Sequence, residues 1–566
     1  MNDNVNFVLA IALSIGILVG WHFLYEKPRQ QAAQARQEAA QILGKEAEAK
    51  EVAVAPRDHA EVLKDNPRIA FENEKIKGTL NLKGARIDDL TLTQYRKTID
   101  PKSPNITLLS PAGSADPFPP FYAEFGWLST EGDVKLPDSN TVWNADGQSI
   151  APGKTTTLSW SNNAGLTFRR EITLDKDYVF TVKDTVTNSS GKDVSLSPFA
   201  LVSRHGTPHT LGFATLHEGP LGVLDERLRE KNYKDLREKP IYTETSSDGG
   251  WVGITDVYWL ASVIAEPKDK ITGRFIYRMA GSQERFQSDI QKAPMVIASG
   301  ASASSTFHFF GGAKELVALN GYEKNLSAPM FDRAIDFGWF YFIAKPFFEA
   351  IDWLGRMVGN YGLAIIIFTI ALRLLFYPMS EGSYRSMEQM KLLKPQIDAL
   401  KERYKNDGMK LNEEVTALYK REKLNPLAGC LPVLIQIPVF FALYKVLLVA
   451  IEMRHAPFYG WIKDLSAPDP SNIFNLFGLI AWTPPPFLHL GALPLLMGIT
   501  MFIQQKLSPP PGDKTTQQVF MFMPIVFTFL LANMSAGLVI YWTFSNVLAI
   551  AQQVLIKHRI KPKAAA

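Results

Sequence analysis

The chain has almost no cysteine and none of the short motifs that mark common enzyme classes. Cys430 is the single cysteine among 566 residues, so neither a disulfide framework nor a cysteine-based metal site is available. P-loop, HExxH, GxSxG and glycine-rich dinucleotide motifs are missing. His205 and His209 flank a Gly-Thr-Pro turn instead of sharing a helix face. We therefore expect no metal, no cofactor, no catalytic residue and no specific nucleic-acid partner.

Charge is absent from several long stretches of the chain. Because about 20 apolar residues cross a bilayer as a helix, these stretches predict membrane-spanning helices. The prolines at 484–486 break one stretch and move its expected span after them, and 42 uncharged residues at 515–556 allow two spans. The six predicted spans are 4–25, 357–379, 427–449, 489–507, 517–533 and 537–556.

The first span is interpreted as an uncleaved signal-anchor. Its apolar core is longer than that of a signal peptide, and no basic segment precedes it. A cleaved signal peptide is the alternative, because Ala33-Gln34-Ala35 is a small-x-small sequence. Residues 26–60, rich in Ala, Gln, Glu and Lys, form the expected tether.

Residues 61–332 have the pattern of an all-β domain. In the run 178–187, Tyr178, Phe180, Val182 and Val186 alternate with polar residues, which indicates a half-buried strand. Similar runs at 69–82, 156–160, 251–264 and 271–279 predict a large antiparallel β-sandwich.

Two further segments have helical patterns. Residues 335–356 carry a polar stripe opposite many aromatic residues, as in a helix that lies in the membrane interface; a helix covering the β-domain is the alternative. Residues 380–425 predict a two-helix hairpin. Its first helix has a coiled-coil seam, its second a shorter apolar stripe, and Asn406-Asp-Gly408 separates them. The seam residues are Met390, Leu393, Ile397, Leu400 and Tyr404, and the stripe residues are Leu411, Val415 and Leu418.

Basic residues orient the spans. The hairpin segment 379–426 carries ten Lys or Arg residues, and the tail 557–566 carries four and no acid. The segment 505–517, around the predicted loop 508–516, carries Lys506 and Lys514. The positive-inside rule puts these segments in the cytoplasm. The loop 450–488 and the β-domain then lie outside. Lys27, Arg29 and Arg36 favour the opposite orientation of the first span alone, and the agreement of the later spans decides against it.

Arg373 is the one charged residue within residues 357–380. A guanidinium at that depth usually faces a partner, a cavity or water. It lies past the middle of the span, so snorkelling towards the nearer headgroups is the alternative.

The chain resembles the YidC/Oxa/Alb family of membrane-protein insertases, in the long six-span form of Gram-negative bacteria. The motifs that carry the resemblance are Ile370-Ala-Leu-Arg373 with Tyr377-Pro378, the run from Lys423 through Pro426, Pro432, Gln436 and Pro438 to Phe440, the run 494–502, and 535–542. The resemblance implies a polytopic α-helical membrane protein with six transmembrane helices, a large periplasmic β-supersandwich domain and a cytoplasmic helical hairpin. It implies no enzymatic activity.

The resemblance also implies a hydrated groove that is open to the cytoplasm and to lipid. Arg373 would lie in this groove and attract acidic residues of an incoming protein. The residues expected in the groove are Thr369, Arg373, Gln436, Phe440, Tyr541, Trp542 and Ser545. The implied partners are nascent membrane proteins, the lipid bilayer, the Sec translocon, and the ribosome with targeting factors. The implied location is the bacterial inner membrane, with both termini cytoplasmic.

Two other functions stay open at this point. One is a membrane-anchored periplasmic carbohydrate-binding or mutarotase-like protein, in which the β-domain is the working part. The other is a transporter of a small anion held at Arg373, although no internal repeat supports it.

Overall fold

The computed structural model describes residues 56–559 except 130–133, 209–215, 282, 423, 425–430, 483, 486–487 and 508–513. The first predicted span, 4–25, and most of the tether lie outside the described residues. The chain forms two compact units. The first comprises the chain up to Tyr95 together with Asn105–Ala334, and the second comprises Arg96–Pro104 together with the chain from Ile335 onwards.

The first unit is a β-sandwich, as the sequence predicts. Its described strands form a sheet of eleven, with the main order β14-β17-β18-β11-β5-β3-β2-β1-β7, and a sheet of nine, with the order β13-β12-β15-β16-β20-β10-β9-β8-β6. In chain order, β1 to β20 are Arg68–Glu72, Ile76–Asn81, Arg86–Arg96, Asn105–Leu109, Phe121–Ser129, Asn144–Ala145, Ser149–Ile150, Thr155–Ser161, Leu166–Leu174, Val179–Asn188, Val194–His205, Gly219–Leu224, Arg227–Glu230, Ile241–Ser246, Gly250–Thr255, Trp259–Ala265, Ile271–Ala280, Gln283–Lys292, Met295–Ile297 and Ser302–Ala313. Three helices accompany them: α1 (His59–Val62), α2 (Tyr233–Glu238) and α3 (Leu316–Asn325).

The strand predicted from alternating residues is confirmed. In β10, Phe180, Val182 and Val186 are buried while Lys183 and Thr187 are exposed. Two predicted runs are each two strands: 69–82 is β1 and β2, and 251–264 is β15 and β16. Turns of three residues, 73–75 and 256–258, interrupt the two runs. The helix α1 begins at His59, within the predicted tether, because the Asp58 side chain accepts a hydrogen bond from the Ala60 amide.

A buried arginine joins the two sheets of the sandwich. Arg170 on β9 forms a two-bond ion pair with Asp184 on β10, with both N–O distances 2.7 Å. The same guanidinium donates from Nη2 to the carbonyl of Phe125, on the other sheet, at 2.8 Å. Its side chain is 1 % exposed. Because charge burial is costly unless the charge is paired and hydrogen-bonded, this network fixes the position of one sheet on the other.

The second unit is helical. Its helices are α4 (Tyr341–Val358), α5 (Tyr361–Leu375), α6 (Tyr377–Arg403), α7 (Gly408–Arg421), α8 (Leu431–Val449), α9 (Ala492–Leu507), α10 (Lys514–Leu530) and α11 (Ala536–Arg559). Within the described residues, α11 alone is both long and apolar enough to cross a membrane. The helix α5 passes the same test only together with α6, from which it bends by 62°. Six spans are therefore not established by helix length.

Helix boundaries differ from the predicted ones where caps intervene. In the predicted interfacial segment 335–356, the helix α4 runs from Tyr341 to Val358, and Gly359 ends it in a left-handed conformation with φ 69°. In the predicted span 357–379, α5 begins at Tyr361, since the Asn360 side chain accepts a hydrogen bond from the Leu363 amide. The helix α5 ends at Leu375, before the bend, and α11 continues into the predicted tail as far as Arg559.

One loop caps the N-termini of two helices. The carbonyls of Leu465 and Ala467 accept hydrogen bonds from the amides of Gly537 and Ala536, at 2.9 and 2.7 Å. The carboxylate of Asp469 accepts from the Leu493 amide at 2.8 Å. The loop thus satisfies amide groups that a helix cannot pair itself, and it holds the starts of α9 and α11 together.

Replacing Arg170 by Met should destabilise the β-domain. The change leaves Asp184 buried without its partner, which costs about 3–5 kcal/mol of unfolding free energy. We expect protease to cut the domain at a markedly lower urea concentration in the full chain in detergent. Arg169→Met is the matched control, since that side chain is 58 % exposed. Equal urea profiles for the two variants would show that the buried network does not hold the sheets together.

Candidate functional site

Three helices of the second unit, with the start of α6, frame a polar cavity. It encloses about 410 Å³ of space, including its open mouth. Five of the seven predicted groove residues line it, from α5, α8 and α11. The lining residues are Thr369, Leu372, Arg373, Phe376, Met379, Ser380, Ile435, Gln436, Val439, Tyr541 and Ser545.

Arg373 is the charged group of this cavity. Its side chain is half-buried, and Nη2 donates a hydrogen bond to Oγ of Ser545 at 2.6 Å. Among the described residues, no carboxylate forms an ion pair with the guanidinium. A hydroxyl is a neutral partner, so the positive charge stays available to a carboxylate that enters the cavity.

The other polar residues predicted in the groove make two kinds of hydrogen bond, one between helices and one within a helix. Gln436 on α8 donates from Nε2 to the hydroxyl of Tyr541 on α11, which joins two walls of the cavity. Thr369 is 1 % exposed, and its hydroxyl donates to the carbonyl of Ile365 in its own helix at 2.6 Å. Thr369 therefore shapes the cavity wall and has its donor already engaged.

Gln552 contacts the backbone beside Arg373. Its Nε2 donates to the Arg373 carbonyl at 3.2 Å, and the residue is 8 % exposed. This carbonyl lies in the last turn of α5, where the chain bends into α6. The sequence places Gln552 on the same face as Tyr541 and Ser545, but its contact could not be predicted because the two residues are far apart in the chain.

Phe440 and Trp542 do not line the cavity. Their rings contact each other edge to face, with centroids 4.9 Å apart, and Phe527 packs against Trp542 at 5.6 Å. Ile437 and Phe441, on the same helix as Phe440, are each 45 % exposed. The aromatic pair therefore lies in an apolar region that adjoins the cavity.

The sequence-based prediction omitted six residues that line the cavity. Leu372, Phe376 and Ser380 follow Thr369 and Arg373 at helical spacings, so the helix period could have indicated them. Ile435 and Val439 lie beside Gln436 on α8, and Met379 follows the bend. All of these except Ser380 are apolar, and apolar residues in an apolar span give no signal that distinguishes a cavity wall from a lipid-facing surface.

Comparisons with known proteins agree over the whole chain. A family profile described as 60Kd inner membrane protein matches residues 353–563, and one described as YidC periplasmic domain matches residues 68–350. The relative named Membrane protein insertase YidC from Methylobacterium radiotolerans is 45 % identical, over 99 % of this chain and 95 % of its own length. Its namesake from Bradyrhizobium diazoefficiens is 45 % identical over 99 % and 97 %. Its namesake from Rickettsia bellii is 44 % identical over 98 % and 99 %. The chain therefore belongs to the YidC family of membrane protein insertases.

Proposed function

We propose that this chain inserts proteins into the bacterial inner membrane and assists their folding there, alone or beside the Sec translocon. The observation that carries the proposal is the cavity around Arg373, whose charge is paired with a hydroxyl and with no described carboxylate. Family membership and the names of the full-length relatives support the same function. The family consists of insertases, so we assign no enzymatic reaction.

The cavity lowers the barrier to moving a polar segment into the membrane. Peptide groups lose their hydrogen bonds to water when they enter hydrocarbon, and each loss costs several kcal/mol. A wet cavity with side-chain donors and acceptors keeps such a segment hydrated partway across. Arg373 attracts acidic residues of the segment, and the membrane potential draws the same residues outwards.

The apolar part of the client leaves through the adjoining surface. Phe440 and Trp542 lie next to the cavity, and the exposed Ile437 and Phe441 extend the apolar surface along α8. A client helix that slides along this surface exchanges the cavity for lipid without crossing a polar barrier. Gln436 and Tyr541 join the walls at that side and are proposed to keep them together.

We propose six spans with both termini in the cytoplasm. The family places the chain in the inner membrane with its β-domain in the periplasm. The basic hairpin segment and tail support the cytoplasmic side for the α6–α7 end. With one span before the β-domain and five after it, this orientation leaves the loop between α8 and α9 outside.

The hairpin formed by α6 and α7 is the proposed recruitment surface. Leu393 and Leu418 are buried, while many of the charged residues around them are exposed. A charged arm that reaches away from the bilayer suits contact with the ribosome or with targeting factors. These partners, and the Sec translocon, are proposals from the family resemblance.

The carbohydrate-binding alternative is not favoured. It would place the working part in the β-domain, whereas the relatives matching the whole length are named as insertases. A domain that shares a fold with sugar-acting proteins does not thereby share their function.

Replacing Arg373 by Ala should impair the insertion of clients with an acidic translocated tail. Loss of a charge-assisted contact of about 1.5–3 kcal/mol lowers insertion about tenfold or more. Arg373→Lys should keep most activity, because it retains the charge. The measurement is protease protection of a single-span client added to liposomes that contain only the purified chain.

Arg356→Ala provides the matched control for the Arg373 variants, since Arg356 lies on α4 and its side chain is 58 % exposed. A client with a neutral tail should depend less on Arg373 than one with an acidic tail. Equal insertion of the acidic client by Arg373→Ala and the unchanged chain would mean that Arg373 only anchors its helix.

Shortening the hairpin should impair recruitment and leave the spans folded. We expect a variant without residues 399–410 to insert ribosome-delivered clients poorly and purified short clients normally. The measurement compares both clients in the same vesicles. The control variant Lys405→Gln with Lys410→Gln keeps the hairpin length and removes two charges. Normal insertion of both clients by the shortened chain would remove the proposed recruitment role.

Deleting the strands from β1 to β20 should leave insertion largely intact, because the cavity lies wholly in the second unit. Insertion by the deleted chain should still be lost on Arg373→Ala. If the deleted chain is folded in the membrane but inactive, the working part is the β-domain and the alternative function regains support.

A further inference from the structure

Residues 473–482 form an exposed apolar loop, which we call the apolar finger. Its residues between Ile473 and Trp482 include a single polar side chain, that of Asn475. Most large side chains of the finger project into open space. The exposed fractions are 38 % for Phe474, 53 % for Leu476, 58 % for Phe477, 87 % for Leu479, 48 % for Ile480 and 46 % for Trp482.

The base of the finger is firmly held at the start of α9. The Ile473 amide donates to the Leu490 carbonyl at 3.0 Å, and Asn472 Nδ2 donates to the Leu488 carbonyl at 3.2 Å. Just before the base, Ser471 Oγ accepts from the Ala492 amide at 2.9 Å, and Asp469 caps the same helix. The finger therefore projects from the N-terminal end of α9, a helix of the second unit.

The backbone of the finger is hydrogen-bonded within the loop. The Phe477 amide donates to the Asn472 carbonyl at 2.8 Å, and the Ile480 amide donates to the Asn475 carbonyl at 3.0 Å. The single polar side chain is engaged as well, since Asn475 Oδ1 accepts from the Gly478 amide at 3.0 Å. Internal pairing of this kind is what a loop needs to enter a medium poor in water.

The tip of the finger has a strained backbone. Leu476 and Phe477 adopt left-handed conformations, with φ of 49° and 59°. Bulky side chains rarely adopt this conformation, and it costs of the order of 1–3 kcal/mol per residue. Both of these strained residues are large apolar residues with more than half of their surface exposed.

We propose that the apolar finger inserts into the outer leaflet of the membrane and contacts lipid acyl chains near the headgroups. Three observations favour lipid over a protein partner. No charged residue occurs from 470 to 505, so the finger and α9 as far as Gln505 form one uncharged stretch. The backbone bonds of Phe477 and Ile480 are made within the loop, and the base lies at the start of α9. The inference rests on the proposed topology, in which that end faces outwards.

A lipid-borne quencher tests the contact in the full chain. Cys430 is replaced by Ser, and a single cysteine at Leu479 carries an environment-sensitive fluorophore. The chain is reconstituted alone in phosphatidylethanolamine–phosphatidylglycerol vesicles, with a doxyl quencher near the headgroup end of the acyl chains. The matched control is Lys463→Cys, an exposed position in the same loop. We expect blue-shifted emission and loss of most fluorescence at 479, and neither at 463.

A second variant tests whether apolarity drives the insertion. Phe477→Asp adds a charge at a position whose left-handed backbone Asp tolerates better than most residues. With the fluorophore at 479, we expect this variant to lose the quenching. Quenching that persists in Phe477→Asp would contradict insertion driven by the apolar tip.

The remaining outcomes separate the possible occupants. Emission typical of water at both 479 and 463 overturns the proposal. Blue-shifted emission without quenching, which reverts when the protein is diluted in lipid, assigns the finger to a second copy and overturns the proposal too. Insertion of a client is measured in the same vesicles, so quenching without client insertion would leave this inference standing and count against the proposed function alone.

Discussion

The second unit is arranged around the guanidinium of Arg373, a cation that lies between apolar helices. A guanidinium desolvated by hydrocarbon is expensive, and the described residues offer Arg373 a hydroxyl and no carboxylate. Four further polar side chains line the cavity beside this pair: Thr369, Ser380, Gln436 and Tyr541. The polar lining offsets part of the cost of holding the charge among apolar helices.

The bend after Arg373 is part of the same arrangement. The 62° bend separates α5, which carries Arg373, from α6, whose start also lines the cavity. Gln552 on α11 donates a hydrogen bond to the Arg373 carbonyl beside this bend. Arg373 thus lies at the joint between α5 and the hairpin formed by α6 and α7.

The sequence predicted features that depend on local pattern better than features that depend on distant contacts. The alternation of apolar and polar residues predicted β10. The long stretches without charge predicted the apolar helices, and Arg373 was noticed as the one charged residue within such a stretch. The run 251–264 was predicted without the three-residue turn, 256–258, that divides it into β15 and β16. Capping by Asn360 starts α5 later than hydropathy could show. The bond from Gln552 and the capping by Leu465 and Ala467 are tertiary, and no local signal encodes them.

The sheet order constrains when the β-domain can finish folding. The last strand, β20, lies in the interior of its sheet between β10 and β16, and not at an edge. Until it arrives, the two halves of that sheet each expose an unpaired edge, which is a template for mispairing. During synthesis, β20 emerges from the ribosome just before the helices of the second unit. The sheet can therefore finish folding only after almost the whole domain has crossed the membrane. Folding of the β-domain thus follows its export.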